Sequence, residues 1–146
     1  MVAFVDSAVW IGSRFDEDPN HKAARGLLSG RRDLCTSNFV IDEVVSFFMG
    51  SRRHGLPRLE RKKAARDFLD LVQKSTDIRV ITITGDHFAS AKAESENRPF
   101  GLTITDWTTV IVMKELGIAE LLTFDKEFRK LKRIPGYEFL QVRSRR

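Results

Sequence analysis

Short apolar runs alternate with segments of helix length along this chain, and that alternation narrows the possible folds more than any other feature. The runs fall at residues 2–5, 34–36, 79–83, 121–124 and 137–142, the last read as an edge strand. Helices are predicted over about 19–30, 38–50, 58–75, 85–96, 104–116 and 126–131, with a basic loop at 51–57. Pro19 suits a helix start, while Gly30 and Gly117 suit helix ends. Strands that alternate with helices build a mostly parallel sheet with helices on both faces, which is an α/β fold in three layers. In such sheets, sites form at the carboxyl ends of the strands.

A chain of 146 residues with no repeat and no Pro/Gly/Ser linker fits one domain over 1–146 that can bury a core unaided. The single cysteine, Cys35, excludes an internal disulfide and a multi-cysteine zinc site. The opening apolar stretch is too short for a signal peptide, and no run approaches the ~18 residues of a membrane span, so a cytoplasmic location is expected. Lys and Arg total 25 against 20 Asp and Glu, a net +5 that favours a polyanionic partner. The excess gathers at Arg52 to Lys63, at Lys126 to Arg133, and in a basic tail at Arg143 to Arg146. These are either solvated faces or a rim for phosphates.

Four acids stand in apolar settings, where a carboxylate is costly unless it is paired, protonated or bound to metal. Asp6 ends the first run. Glu43 lies inside a helix with Phe39, Val40 and Phe47 at helical spacing, on a stripe expected to face the core, although its neighbour Asp42 competes for that role. Asp106 has Thr109, Val110 and Met113 as helical neighbours, and Asp125 follows the run 121–124. Asp6 and Asp125 could equally be plain N-caps, and Thr103 with Asp106 matches a capping box. His21, His54 and His87 are scattered without ligand spacing and read as surface or capping residues. No phosphate-cradling glycine loop and no nucleophile elbow occurs. Trp10, Phe15 and Phe39 read as core.

Taken together, Asp6-Ser7 after a strand, Glu43 inside an apolar helix, Leu102-Thr103-Ile104-Thr105-Asp106 opening a helix, and Leu121-Leu122-Thr123-Phe124-Asp125-Lys126-Glu127-Phe128 resemble the PIN-domain family. Among its branches, the chain looks most like the VapC-type ribonuclease toxins of type II toxin–antitoxin pairs. The resemblance spans Asp6 to Phe128. It implies a PIN-like α/β/α sandwich and Mg²⁺ or Mn²⁺ held by Asp6, Glu43, Asp106 and Asp125, with Ser7 and Thr123 as hydrogen-bonding support. It further implies RNA as substrate, 5′-phosphate and 3′-hydroxyl products, a cognate antitoxin and a homodimer. Trp107 departs from the small residue that the family places after the third acid.

Such chemistry has a physical basis. Hard divalent ions prefer oxygen ligands, neutralise phosphodiester charge and activate water. On this reading Asp6 and Asp106 bind the main ion, while Glu43 and Asp125 serve a second ion or orient the attacking water. Three other readings remain open at this stage: a PIN ribonuclease of RNA processing or decay with no toxin role, a non-catalytic nucleic-acid-binding module and, less favoured because the basic clusters suit a polymeric substrate, a metal-dependent phosphatase.

Overall fold

The computed structural model describes residues 1–50 and 56–145. Five strands, β1 (Ala3–Val5), β2 (Leu34–Ser37), β3 (Ile78–Ile81), β4 (Glu120–Leu122) and β5 (Gln141–Arg143), form one sheet in the order β3-β2-β1-β4-β5. Every pairing is parallel. Six α-helices connect them: α1 (Ser7–Arg14), α2 (His21–Leu28), α3 (Asn38–Gly50), α4 (Arg58–Lys74), α5 (Gly85–Asn97) and α6 (Ile104–Leu116). A 3₁₀ helix, Lys126–Arg133, joins β4 to β5.

The strand order explains the layering. From β1 to β3 the chain steps outward in one direction, then returns past β1 to β4 and continues to β5. Right-handed crossovers place helices on opposite faces when the stepping direction reverses. Accordingly α1 packs on α2 and α3, and α3 packs on α4, whereas α5 packs on α6. The direction reverses between β1 and β4, and the crevice beyond their carboxyl ends is where an open α/β sheet binds ligands.

Strands β1, β2 and β4 are buried along their whole length, as continuous apolar runs in a covered parallel sheet should be. The core includes Phe4, Trp10, Phe48, Phe68, Trp107 and Phe128, all essentially inaccessible, and each large side chain so buried contributes roughly 1.5–3 kcal/mol. Trp10 lies 5.7 Å from Phe68 and donates from its indole nitrogen to Thr36 Oγ1 at 3.3 Å, which seats α1 on β2. Phe15 and Phe39 pack only partly buried at the core margin.

Helix α1 does not stand out in the sequence pattern, because Ser7–Arg14 has too few periodic apolar positions. Asp6 starts it by accepting from the Ser7 amide at 2.8 Å. The helix predicted at 19–30 shortens to His21–Leu28. The last strand is also shorter than its apolar pattern. Tyr137 is buried against Trp107 before the strand begins, and only Gln141–Arg143 pairs with β4. Gly117 ends α6 at a φ of 69°, a left-handed conformation that glycine adopts without a Cβ penalty. At β4, Glu120 is buried between the guanidinium groups of Arg31 and Arg143, the latter at 2.6 Å, which ties β5 and the turn before β2 to the sheet centre. Among the described residues, no helix is long and apolar enough to cross a membrane.

Candidate active site

Asp6 emerges from β1 into the crevice at the switch point and is only 4% exposed. Its two oxygens have separate partners. Oδ1 takes the Ser7 amide, and Oδ2 accepts from Thr123 Oγ1 at 2.7 Å, across 117 residues of sequence. Thr123, fully buried just beyond β4, also accepts from the Asp125 amide at 3.0 Å. One hydroxyl therefore links the first acid to the loop that carries the last. Ser7 supports Asp6 through its backbone amide.

Asp106 sits at the third position of α6. It forms a reciprocal capping box with Thr103, accepting the Thr103 amide at 2.9 Å while its own amide donates to Thr103 Oγ1 at 3.1 Å. Capping and a site role coexist here, since the box leaves Asp106 buried at 7% exposure on the core-facing stripe with Thr109, Val110 and Met113. The next residue, Trp107, is accommodated in the core with its indole nitrogen buried and without a hydrogen-bond partner among the described residues. It is fully buried beside Phe100 and Tyr137, with ring centroids 6.5 and 6.1 Å away.

Asp125 is half-buried and caps the 3₁₀ helix by accepting from the Glu127 amide at 2.9 Å. Glu43 corrects its expected placement. The buried stripe of α3 is Val40, Val44 and Phe48, and Glu43 stands half-buried at its flank, where a carboxylate keeps some water. Asp42 is exposed.

Electrostatics tie the four acids together. Burial, with the Asp106 charge next, pushes Asp6 from its ordinary 3.8 up to about 7. The hydrogen bonds from Thr123 and Ser7 oppose the rise, and Glu43 adds a smaller contribution. Burial also raises Asp106, from 3.8 to about 6, against the Thr103 hydrogen bonds and with help from the Glu43 and Asp125 charges. Among the described residues, the ion pairs engage other acids and none of these four. Buried carboxylates that repel one another without a cationic partner are unusual on structural grounds alone and mark a candidate functional site.

Among the described residues, no three Asp, Glu, His or Cys side chains converge into a ready-made metal cage. The donor set nevertheless fits a hard divalent ion. Mg²⁺ is typically held by one or two carboxylates, several waters and substrate phosphate rather than by an all-protein cage. Zinc is a poor match, because the histidines serve elsewhere: His21 contacts the Gly12 carbonyl, and His87 caps α5 and pairs with Glu115. His54, Arg52, Arg53 and Arg146 lie outside the described residues.

Beside Asp125, the crevice continues into a cleft of about 350 Å³ lined by Thr123, Lys126 and Arg129 together with Asn20 and Ser144. The last two come from the start of α2 and the C-terminal segment, and no sequence motif points to them.

Comparison with known proteins agrees with this geometry. The family model of the PIN domain matches residues 3–134, and the chain belongs to the PIN-domain family. Among solved structures it is similar to VapC20 of Mycobacterium tuberculosis, described as a sarcin–ricin loop cleaving toxin. The two share 27% identity over 88% of this chain and 93% of that one, with a TM-score of 0.74. VapBC2 of Rickettsia felis, solved bound to a DNA fragment from its promoter, shares the fold at 14% identity and a TM-score of 0.62, covering 98% of each chain. No curated protein sequence matches significantly. The fold is the PIN-like α/β/α sandwich, and the VapC-type resemblance carried by the motifs extends to the structure.

Proposed function

We propose that this PIN-domain protein is an Mg²⁺- or Mn²⁺-dependent endoribonuclease and the toxin of a type II toxin–antitoxin pair. The observation that carries the nuclease reading is the buried pair Asp6 and Asp106. They come from β1 and α6, burial raises the proton affinity of both, the Asp106 charge adds to the rise at Asp6, and no cation among the described residues pairs with either. Two such acids are unfavourable when charged until positive charge arrives, and a divalent ion would supply it.

Asp6 and Asp106 would hold the principal ion. When bound, the ion contributes charge for the phosphodiester oxygens and acidifies water. Thr123 keeps Asp6 in place and holds the Asp125 loop at a fixed distance from it. Glu43 and Asp125, both half-buried and open to water, orient the attacking water and accept its proton, or complete the shell of a second ion. Hydrolysis adds water across the bond between phosphorus and the 3′ oxygen, leaving a 5′-phosphate and a 3′-hydroxyl.

The toxin role rests on the likeness to VapC20, and an antitoxin partner on the likeness to the VapBC2 complex. A homodimer belongs to the same reading. Met49 on α3 and Leu59 and Leu69 on α4 leave apolar side chains exposed that a second copy could cover. Induced expression in a bacterial host tests the biological role. The expected result is growth arrest with fragmentation of a discrete RNA, abolished by Asp6→Asn. Normal growth and intact RNA at a confirmed level of folded protein would count against a toxin.

A further inference from the structure

The three basic clusters of the sequence have different fates in the fold. On α4, Arg61 donates to the Met49 carbonyl, and Lys63 lies in a cleft with Asp16, Glu60 and Asp67. Arg143 is committed to Glu120. Lys62, Lys63 and Arg66 also have no ion-pair partner among the described residues, so what sets the 3₁₀ helix apart is its place beside Asp125. Its apolar residues Phe128 and Leu131 are buried, so the positions between them point outward, and Lys126, Arg129 and Lys132 are exposed. Lys130 pairs with Glu127, but among the described residues no carboxylate lies within ion-pair distance of Lys126, Arg129 or Lys132.

These three cations are also arranged in line. The cleft that begins at Thr123 and Asp125 contains Lys126 and Arg129. A second cleft, of about 390 Å³, continues from Arg129 to Lys132 and the β5 backbone around Val142. Arg129 belongs to both, and its guanidinium donates to Ser144 Oγ at 3.2 Å, which holds it at the junction. Two clefts therefore meet at Arg129, the first bounded by Asp125, and Lys126, Arg129 and Lys132 line them without a carboxylate partner among the described residues.

We infer that Lys126, Arg129 and Lys132 form a phosphate track along which a single-stranded stretch of RNA runs as it leaves the acid cluster, on the 3₁₀-helix side and not across α4. This rests on the ribonuclease reading for its substrate class. As a row of phosphate contacts, the track would fix the register and orientation of the strand without itself carrying sequence information. It also explains how acids that repel a polyanion can be approached: attraction at neighbouring phosphates offsets repulsion at the scissile one.

The test is fluorescence anisotropy of the full-length protein with a labelled 20-nucleotide single-stranded RNA in EDTA, across a salt series. The variants are Lys126→Ala/Arg129→Ala/Lys132→Ala and, as a control removing equal charge, Lys62→Ala/Lys63→Ala/Arg66→Ala on exposed positions of α4. All six residues are exposed, and thermal melts confirm folding. The track variant should bind at least roughly tenfold more weakly at low salt. Its salt slope should become shallower by about 2, because each phosphate neutralised on a single strand contributes about 0.7. The control should stay near wild type. Equal affinity and slope in the track variant, or an equal weakening in the control, overturns the track. Cleavage run in parallel with Mg²⁺ separates the two readings. RNA cutting with an unaltered track variant leaves the nuclease and removes the track, whereas track-dependent binding without cutting does the reverse.

Discussion

Replacing Asp6 with Asn should stabilise the metal-free protein while abolishing its activity, and the gain should depend on pH. Asp6 rises from 3.8 to about 7 on folding. At ~1.36 kcal/mol per pH unit, keeping it charged in the folded state costs about 4 kcal/mol above pH 7. A group whose folded value is raised contributes stability that is fully present below about 3.8 and is lost as pH climbs through about 7. Asn removes that loss, but at a cost. Asp6 accepts from both Ser7 and Thr123, and Asn has one acceptor oxygen for the two. Rearranging one hydrogen bond costs ~1 kcal/mol. The net gain is therefore roughly 3 kcal/mol at pH 8 in EDTA. Near pH 4.5, where Asp6 is protonated in the fold, the gain vanishes or turns slightly negative. Urea denaturation at both pH values measures this directly. If Asp6→Asn were destabilising by the same amount at pH 4.5 and pH 8, the picture of an uncompensated buried charge would be wrong.

Other expectations follow from the same contacts. Mg²⁺ or Mn²⁺ should raise the melting temperature of the wild type, by ~2.7 kcal/mol of stability at a hundredfold excess over the dissociation constant, and should do far less for Asp106→Asn; calorimetry with and without metal checks this. Metal-supported cleavage should increase between pH 5 and pH 8, because Asp6 and Asp106 must first lose protons held to about 7 and about 6, and a profile already flat from pH 5 would contradict it. Thr123→Val strands the Asp125 amide and removes the donor to Asp6, so metal affinity measured by titration calorimetry should drop ~10–100-fold and the pH profile should move to higher pH. Glu120→Gln leaves the partly exposed Arg31 and Arg143 facing a neutral partner and should cost ~1.5–3 kcal/mol in chemical denaturation with little effect on metal affinity.

Much of this arrangement is legible in the sequence, because the central strands are buried on both faces and so read as apolar runs, and because Asp6 and Asp125 directly follow such runs. The capping pattern of Thr103 and Asp106 is local and appears in the fold as written. What local patterning misses are relations set at long range. Helix α1 depends on Asp6 as a cap and on Trp10 reaching Thr36 rather than on its own periodicity. Glu43 reads as part of a core stripe because its neighbours at helical spacing are apolar, yet the helix turns Val40, Val44 and Phe48 inward and leaves Glu43 at the margin. The Thr123 link to Asp6 and the entry of Asn20 into the cleft beside Asp125 depend on where parallel strands place distant loops. The placement of the basic clusters is equally hidden. Lys63 and Lys126 look alike in sequence, and only packing shows one among acids and the other beside the candidate site.

Cleavage of RNA by the purified protein tests the central claim most directly, with Mg²⁺, Mn²⁺ and EDTA arms and with folded Asp6→Asn and Asp106→Asn as controls. Cutting that requires metal, disappears in both variants and leaves 5′-phosphate ends is the expected result. Cutting that persists in EDTA or in either variant would remove the acid cluster from the chemistry, and folded, metal-supplied protein that leaves both total RNA and ribosomal RNA intact would contradict the ribonuclease reading itself.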